Sequence, residues 1–337
     1  MGSKIRKRVF ICLLLTLHLP ILFAGFIAPY DPAVQNRENP YAPPVRIHFV
    51  DNRGIHLRPF VYAPVATADG YQYDLSTPYP IHLFVKGDEY ELFGLLRANL
   101  HLFVVENPAR IFLMGTDSFG RDEFSRLLYG GQISLAAGLL ATFITLLVAT
   151  VMGTVSGYYG KWIDETLMGS AELFLSLPWL YFLLVVRALL PLHVSPTATF
   201  MLLIAVIAVI GWARPARLIR GVVLSARNRE YVLAARGFGP SDFYLLWRHV
   251  LPQAVGVLLT QAALLVPQYV AAEVTLSFFG LGVSEPTPSW GNMLSALQQY
   301  RVLISYNWLL APAVALVITS VMYWVLADTI RYWIQSR

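Results

Sequence analysis

Six stretches of this sequence run without a charged residue. They are Val9–Tyr30 (22 residues), Leu127–Gly160 (34), Leu173–Val186 (14), Ala188–Ala213 (26), His249–Ala272 (24) and Val302–Ala327 (26). A helix needs about 20 apolar residues to cross the ~30 Å hydrocarbon core of a bilayer. The runs are continuous rather than alternating, which predicts helices and not barrel strands. Six transmembrane helices are expected, near 9–28, 133–157, 166–188, 197–218, 254–279 and 307–328. Composition agrees: 56% of the 337 residues are apolar and only 13% are charged, against about 25% charged in a soluble domain. Disorder, a nucleic-acid-binding domain and an ordinary cytosolic enzyme are thereby excluded, and lipid is part of the expected solvent. A single cysteine, Cys12, excludes a disulfide framework and a cysteine-ligated metal cluster.

Lys4, Arg6, Lys7 and Arg8 precede the first run, as the basic region of a signal peptide would. The apolar stretch is about 20 residues, longer than the ~7–15 of a signal, so it reads as a retained span. With the N-terminus in the cytosol, the inside segments hold 14 basic residues against five acidic ones, which satisfies the positive-inside rule. Six spans then leave both termini cytosolic. The expected organisation is an N-terminus and first helix (1–28), an extracytoplasmic segment (29–126) and a five-helix core (127–337). That core includes a basic cytosolic loop at 219–252 and a shorter outer loop at 280–306. Gly153 and Gly157 in the second span have GxxxG spacing, with Ala137, Gly138 and Ala141 upstream, which predicts close helix packing.

Catalytic motifs are missing from the sequence. Gly157-Tyr-Tyr-Gly160-Lys161-Trp162 lacks the first glycine spacing and the Ser/Thr of a phosphate loop, so no nucleotide site is expected. The seven histidines show no metal-ligand spacing, and His18 reads as a packed neutral ring. Glu172 and Glu273 lie in or near spans, where a carboxylate is either functional or sits at a headgroup or helix cap. No chain of acids and histidines crosses the spans as a proton relay would, which counts against an ion-coupled carrier.

The cytosolic loop is the most informative segment. Glu230 to Ala235 forms helix, and Gly237, Gly239 and Pro240 end it. Ser241 is placed to cap a second short helix that is expected to stop near Leu251-Pro252. Ala234 and Ala235 give one side small enough to enter a partner's groove.

This stretch resembles the "EAA" loop of ABC importer permeases, Glu-Ala-Ala-x3-Gly-x9-Ile-x-Leu-Pro, in Ala234, Ala235, Gly239, Leu251 and Pro252. Leu233 stands where the motif has Glu, and His249 where it has Ile; the histidine is usual in the peptide-importer branch. Glu230 lies one turn earlier, on nearly the same helix face as the missing carboxylate. Gly115-Thr116-Asp117-Ser-Phe-Gly120-Arg121-Asp122, followed by Ser125-Arg-Leu-Leu-Tyr-Gly130, resembles the segment before the second span in the C-type permease of dipeptide, oligopeptide and nickel importers. Ser277-Phe-Phe-Gly-Leu-Gly282, with Pro286-Thr-Pro288-Ser289-Trp290-Gly291-Asn292, is similar to that family's outer loop after the fifth span.

The resemblance implies a type I ABC importer permease fold and a multi-pass protein of the bacterial inner membrane. Its implied partners are a second homologous permease, two ATPase subunits, an extracytoplasmic binding protein and membrane lipid, with no nucleic acid. ATP and Mg would be bound by the ATPase subunits, so this chain would carry no cofactor, no metal and no enzymatic site of its own. The loop would act as their lever, delivering peptides or a similar small solute from the binding protein across the membrane. The rival readings are an ion-coupled secondary carrier and a non-transport scaffold or receptor.

Residues 29–111 fall outside the resemblance. Ten prolines favour a linker, but 12 aromatic residues between Tyr30 and Phe103 are too many for a chain that cannot bury them. Val45–Phe49 and Ile55–Arg58 alternate around a turn at Asp51–Gly54 and predict a hairpin. Ile81–Val85 predicts a further strand before a turn at Lys86–Asp88, and Leu92, Phe93, Leu95, Leu96 and Leu100 a short amphipathic helix. A small strand-rich extracytoplasmic module is expected.

Overall fold

The computed structural model describes residues 12–335 apart from 13, 52–53, 68–69, 93–95, 177, 179–180, 182–183, 186–187 and 189–194. Helical residues 14–22 lead into α1 (Ala24–Ile27). Four strands follow: β1 (His48–Asp51), β2 (Gly54–Thr67), β3 (Gly70–Leu92) and β4 (Leu96–Val105). The helices α2 (Glu123–Tyr159), α3 (Lys161–Ser176), α4 (Pro196–Gly211), α5 (Ala213–Arg227), α6 (Glu230–Gly237) and α7 (Asp242–Leu245) come next. A π turn (Leu246–Val250) leads into α8 (Leu251–Phe278), and then α9 (Trp290–Ser295), α10 (Tyr300–Ser305) and α11 (Ala311–Gln335). The chain divides into two compact units. A sheet unit comprises Leu14–Ser134 and Ser277–Val317, and a helix unit comprises Met1–Leu13, Leu135–Leu276 and Ile318–Arg337.

Among the described residues three helices are long and apolar enough to cross a membrane: Glu123–Tyr159, Asp242–Phe278 and Asn307–Ile334. They contain the expected spans 133–157, 254–279 (to within one residue) and 307–328. The first outruns its expectation at the N-terminus, since 37 residues rise about 55 Å. The expected span at 197–218 is interrupted. Thr197–Gly211 and Ala213–Arg227 are bent by 44° and reach spanning length only as a pair. Arg214, Arg217 and Arg220 explain the break, because α5 is amphipathic: Ala213, Ala216, Ile219, Val223 and Ala226 are buried on one face and Arg214 and Arg217 are exposed. Of the expected span at 166–188 the structure describes α3 and few residues beyond it; much of 177–194 lies outside the described residues. The start of the span at 9–28 lies outside them too.

In the helix unit the GxxxG glycines do the packing expected of them. A Cβ on Gly153 would sit 2.5 Å from the Ala216 carbonyl oxygen, and one on Gly157 2.9 Å from that of Arg220. The backbones of α2 and α5 therefore approach as only glycine allows. Ala149, Trp212, Ile219, Val223, Val232 and Val250 belong to the buried cluster around that contact.

In the sheet unit all four strands are antiparallel in sequence order. β1 and β2 form the expected hairpin, pairing Val50 with Ile55 and Asp51 with Gly54; Asn52 and Arg53 of its turn lie outside the described residues. β3 serves two partners in succession, β2 up to Pro80 and β4 from Ile81 onward. The expected turn at Lys86–Asp88 is instead an irregularity inside β3, where the register slips between Lys86 and Tyr90. Gly87 permits the slip to pass over a neighbour, since a Cβ there would lie 2.6 Å from the His101 ring. The expected amphipathic helix at 92–100 does not form. Leu92 ends β3 and Leu96 and Leu100 belong to β4, while Phe93 and Leu95 lie outside the described residues. Pairing with the β3 edge overrides the helical spacing of those leucines. The aromatic residues are used: Tyr30, Tyr71, Tyr73, Tyr79 and Phe103 pack on a core of Ala42, Val45, Val61, Ile81, Ile111 and Phe112. Tyr71 and Tyr73 donate to the Pro40 and Pro44 carbonyls at 2.8 and 3.1 Å.

Candidate functional site

The motif residues form two groups, each within one unit. In the sheet unit the segment Gly115–Asp122 is a buried anchor. Thr116 Oγ1 accepts from Ala42 N at 2.7 Å and donates to the Asn39 carbonyl at 2.6 Å. Gly120 adopts φ +70°, and a Cβ there would stand 1.7 Å from the Asn36 carbonyl oxygen, so both conformation and space demand glycine. Gly115 is tucked under Ala42 and Trp308, whose indole N–H donates to the Thr116 carbonyl at 3.0 Å. Asp122 accepts from the backbone N–H and hydroxyl of Ser125 at 2.8 and 2.6 Å. Burial pushes its carboxyl up to about 7 despite those bonds.

Asp117 and Arg121 pair at 2.7 Å, and Arg121 reaches on to Glu285 at 2.6 Å. Arg126, only 1% exposed, donates to the same carboxylate at 2.9 Å. One carboxylate thus holds two guanidinium groups. Asp117, Arg121, Arg126, Glu285 and Asn292 line a cavity of about 370 Å³. The outer-loop motif is equally structural. Pro288 is buried, Ser289 and Asn292 form a capping box for α9, and Gly291 is buried behind them. Trp290 is 1% exposed and donates from its indole N–H to the Leu127 carbonyl at 3.0 Å. Sequence reasoning named Asp117 and Arg121 but missed Glu285. Its signal was a carboxylate just before the Pro286-Thr-Pro288 run, and only the fold brings it to the arginines.

In the helix unit the loop 219–252 folds as α6, a turn and α7. Glu230 opens α6 and is exposed, as are Leu233 and Ala234; Ala235 is half-buried and Val232 fully buried. Gly239 has φ +76° with open space around it, so conformation rather than packing requires glycine there. Ser241 caps α7 through the Tyr244 N–H at 3.3 Å. The helix does not stop at Leu251-Pro252 as expected. Leu251 N–H donates to Leu246 O five residues back, and this π turn carries the chain past Pro252, which has no N–H to give. His249 lies in that turn between the rings of Tyr231 and Tyr244, Leu251 is half-buried and Pro252 is exposed.

Three arginines gather at the C-terminal end of α2, where cations are favoured. Arg227 donates to the Gly157 and Tyr158 carbonyls at 2.8 and 2.9 Å. Arg220 pairs with Asp164, holding that carboxyl below the usual carboxylate range, with Ser156 helping. Arg236 donates to the Tyr158 hydroxyl at 2.8 Å. In the sequence these arginines, Arg220, Arg227 and Arg236, are among the 14 inside basic residues, and their contacts are not legible there. Glu172, singled out from sequence, pairs with Arg217 at 2.7 Å on an exposed face. Glu273 is buried. Around the loop an apolar face stays open: Phe238 is 91% exposed, and Phe243 and Trp247 stack with centroids 6.5 Å apart, both exposed.

Three helices of spanning length among the described residues define a polytopic membrane component. Residues 128–337 match the family described as the inner membrane component of binding-protein-dependent transport systems. The chain belongs to that family, and so to the type I ABC permease fold. Among its relatives, the dipeptide transport system permease protein DppC of Bacillus subtilis (strain 168) is 38% identical over 66% of this chain and 68% of its own length. The oligopeptide transport system permease protein OppC of the same strain is 36% identical over 66% and 71%. A Brucella suis biovar 1 protein assigned as a peptide permease is 34% identical over 75% and 79%. As the membrane component of an ABC transporter, the chain implies ATPase and binding-protein partners.

Proposed function

We propose that this chain is the C-type permease subunit of an ATP-driven importer that takes peptides from an extracytoplasmic binding protein. It works beside a second homologous permease and on two ATPase subunits, which bind the ATP and Mg. Six spans cross the inner membrane with both termini cytosolic, so the sheet unit's strands face outward and the loop 219–252 faces the ATPases. Closure of the ATPases moves the loop, and the helices alternate between outward- and inward-open states. The observation that carries this reading is the open face of Leu233, Phe238, Phe243 and Trp247, held on a turn that needs glycine at 239. Exposed apolar faces of this kind mark protein contacts. The peptide relatives supply the substrate class.

The test combines topology and docking. Asp74→Cys and Glu230→Cys, each in a Cys12→Ser background and both at exposed positions, are treated with an impermeant thiol reagent in intact cells. Labelling is expected at 74 from outside, and none at 230 until the membrane is permeabilised. Phe243→Asp with Trp247→Asp should abolish co-purification of the ATPase subunits. Labelling of 230 from outside, or retained co-purification, contradicts the proposed function.

A further inference from the structure

The Tyr158 hydroxyl stands between the two helices of the loop. It donates to Asp242 Oδ1 on α7 at 2.6 Å and accepts from Arg236 Nη2 on α6 at 2.8 Å. The Arg236 guanidinium also lies over the Tyr158 ring, 5.4 Å from its centroid. Among the described residues no direct ion pair joins Arg236 to Asp242, so the phenol is the link between them. Gly239 lies between those two residues in the chain and has φ +76°. Tyr158 is nearly buried and sits in the last turn of α2, whose end is fixed by Arg227 on two carbonyls. Val232 and Leu245, one from each loop helix, are fully buried.

We propose that Tyr158 is a positioning residue for energy coupling: its hydroxyl sets the angle of α6 against α7 and ties that pair to the end of the membrane-spanning helix α2. A push on the open apolar face of the loop then moves α2 instead of opening the glycine turn. The inference rests on the reading that this face receives the ATPase subunits. It adds the residue that transmits the movement, which lies outside the loop motif. Removing the hydroxyl leaves the ring, its packing and the arginine above it in place.

The measurement uses the complete importer in proteoliposomes with its binding protein and a radiolabelled di- and oligopeptide mixture. Peptide taken up and ATP hydrolysed are counted together. A cysteine at Phe243 is cross-linked to the ATPase subunit in the same preparations. In Tyr158→Phe, cross-linking and ATP hydrolysis should stay within about twofold of the parent while peptide per ATP falls roughly five- to tenfold, as expected for a lost bond to a charged partner. Asp242→Asn keeps an acceptor and should restore most of the ratio that Asp242→Ala loses. Adding Asp242→Ala to Tyr158→Phe should cost little more, because both remove one link. An unchanged ratio in Tyr158→Phe overturns the proposal. So does a parallel fall in cross-linking, hydrolysis and melting temperature, which would mark a purely structural tyrosine. Absence of the cross-link in the parent protein would instead defeat the docking reading, and the positioning role with it.

Discussion

Arg121 and Glu285 lie 164 residues apart in the chain and meet at 2.6 Å. Glu285 also receives Arg126, so this carboxylate faces two largely buried guanidinium groups. Glu285→Gln would leave both cations short of charge. The expected loss is about 1–3 kcal/mol, below the cost of breaking a fully buried pair because the carboxylate is 45% exposed. Arg126→Met, which keeps most of the buried side-chain volume, should cost less than Glu285→Gln, since Arg121 still holds Glu285. Thermal unfolding of the protein in nanodiscs checks the order of the two variants.

Asp122 makes the sheet unit less stable at neutral pH than in mild acid. Its carboxyl is pushed up to about 7 by burial, above the ordinary carboxylate value, so the folded state holds a proton that the unfolded chain releases. That contribution is complete in acid below about pH 4 and is lost as pH rises through about 7. Melting temperature should therefore fall between about pH 4 and pH 7, with a contribution on the order of a few kcal/mol at most. Asp122→Asn keeps the acceptor for Ser125 and should reduce the fall. An identical pH dependence in that variant would remove Asp122 as its source.

Gly153→Val places a branched side chain where a Cβ already meets the Ala216 carbonyl at 2.5 Å. The α2 and α5 backbones must then separate, at a cost of roughly 1–3 kcal/mol typical of overpacking. Lower yield and lower melting temperature of the purified protein are expected. Gly221→Ala on the same α5, with open space around it, serves as the neutral comparison.

Much of this was legible in the chain. Uncharged runs marked the long helices, because lipid admits no exposed backbone polarity and few charges. The hairpin at 48–60 followed from alternation, and the glycine turn at 239 from its neighbours. The helix expected at 92–100 failed because leucine spacing says nothing about a strand edge awaiting a partner. The break at Trp212 was hidden in an apolar run whose arginines only begin at 214. Glu285 and Tyr158 were silent for a common reason: a carboxylate in a loop and a tyrosine at a helix end acquire meaning only from partners far along the chain.

Gly239→Val tests the turn itself. A β-branched residue at φ +76° costs on the order of 1–2 kcal/mol locally, too little to unfold the protein but enough to re-aim α6. Membrane insertion should be normal and peptide uptake should be lost. Normal uptake with normal binding-protein-stimulated ATP hydrolysis would contradict the role given to the turn.

Peptide uptake is measured in proteoliposomes holding this chain with its partner permease and ATPase subunits, ATP inside and the binding protein outside. Accumulation should need ATP, the binding protein and the intact loop together, and should end with Phe243→Asp and Trp247→Asp. Accumulation driven by a proton or sodium gradient in the absence of ATP would contradict ATP-driven import.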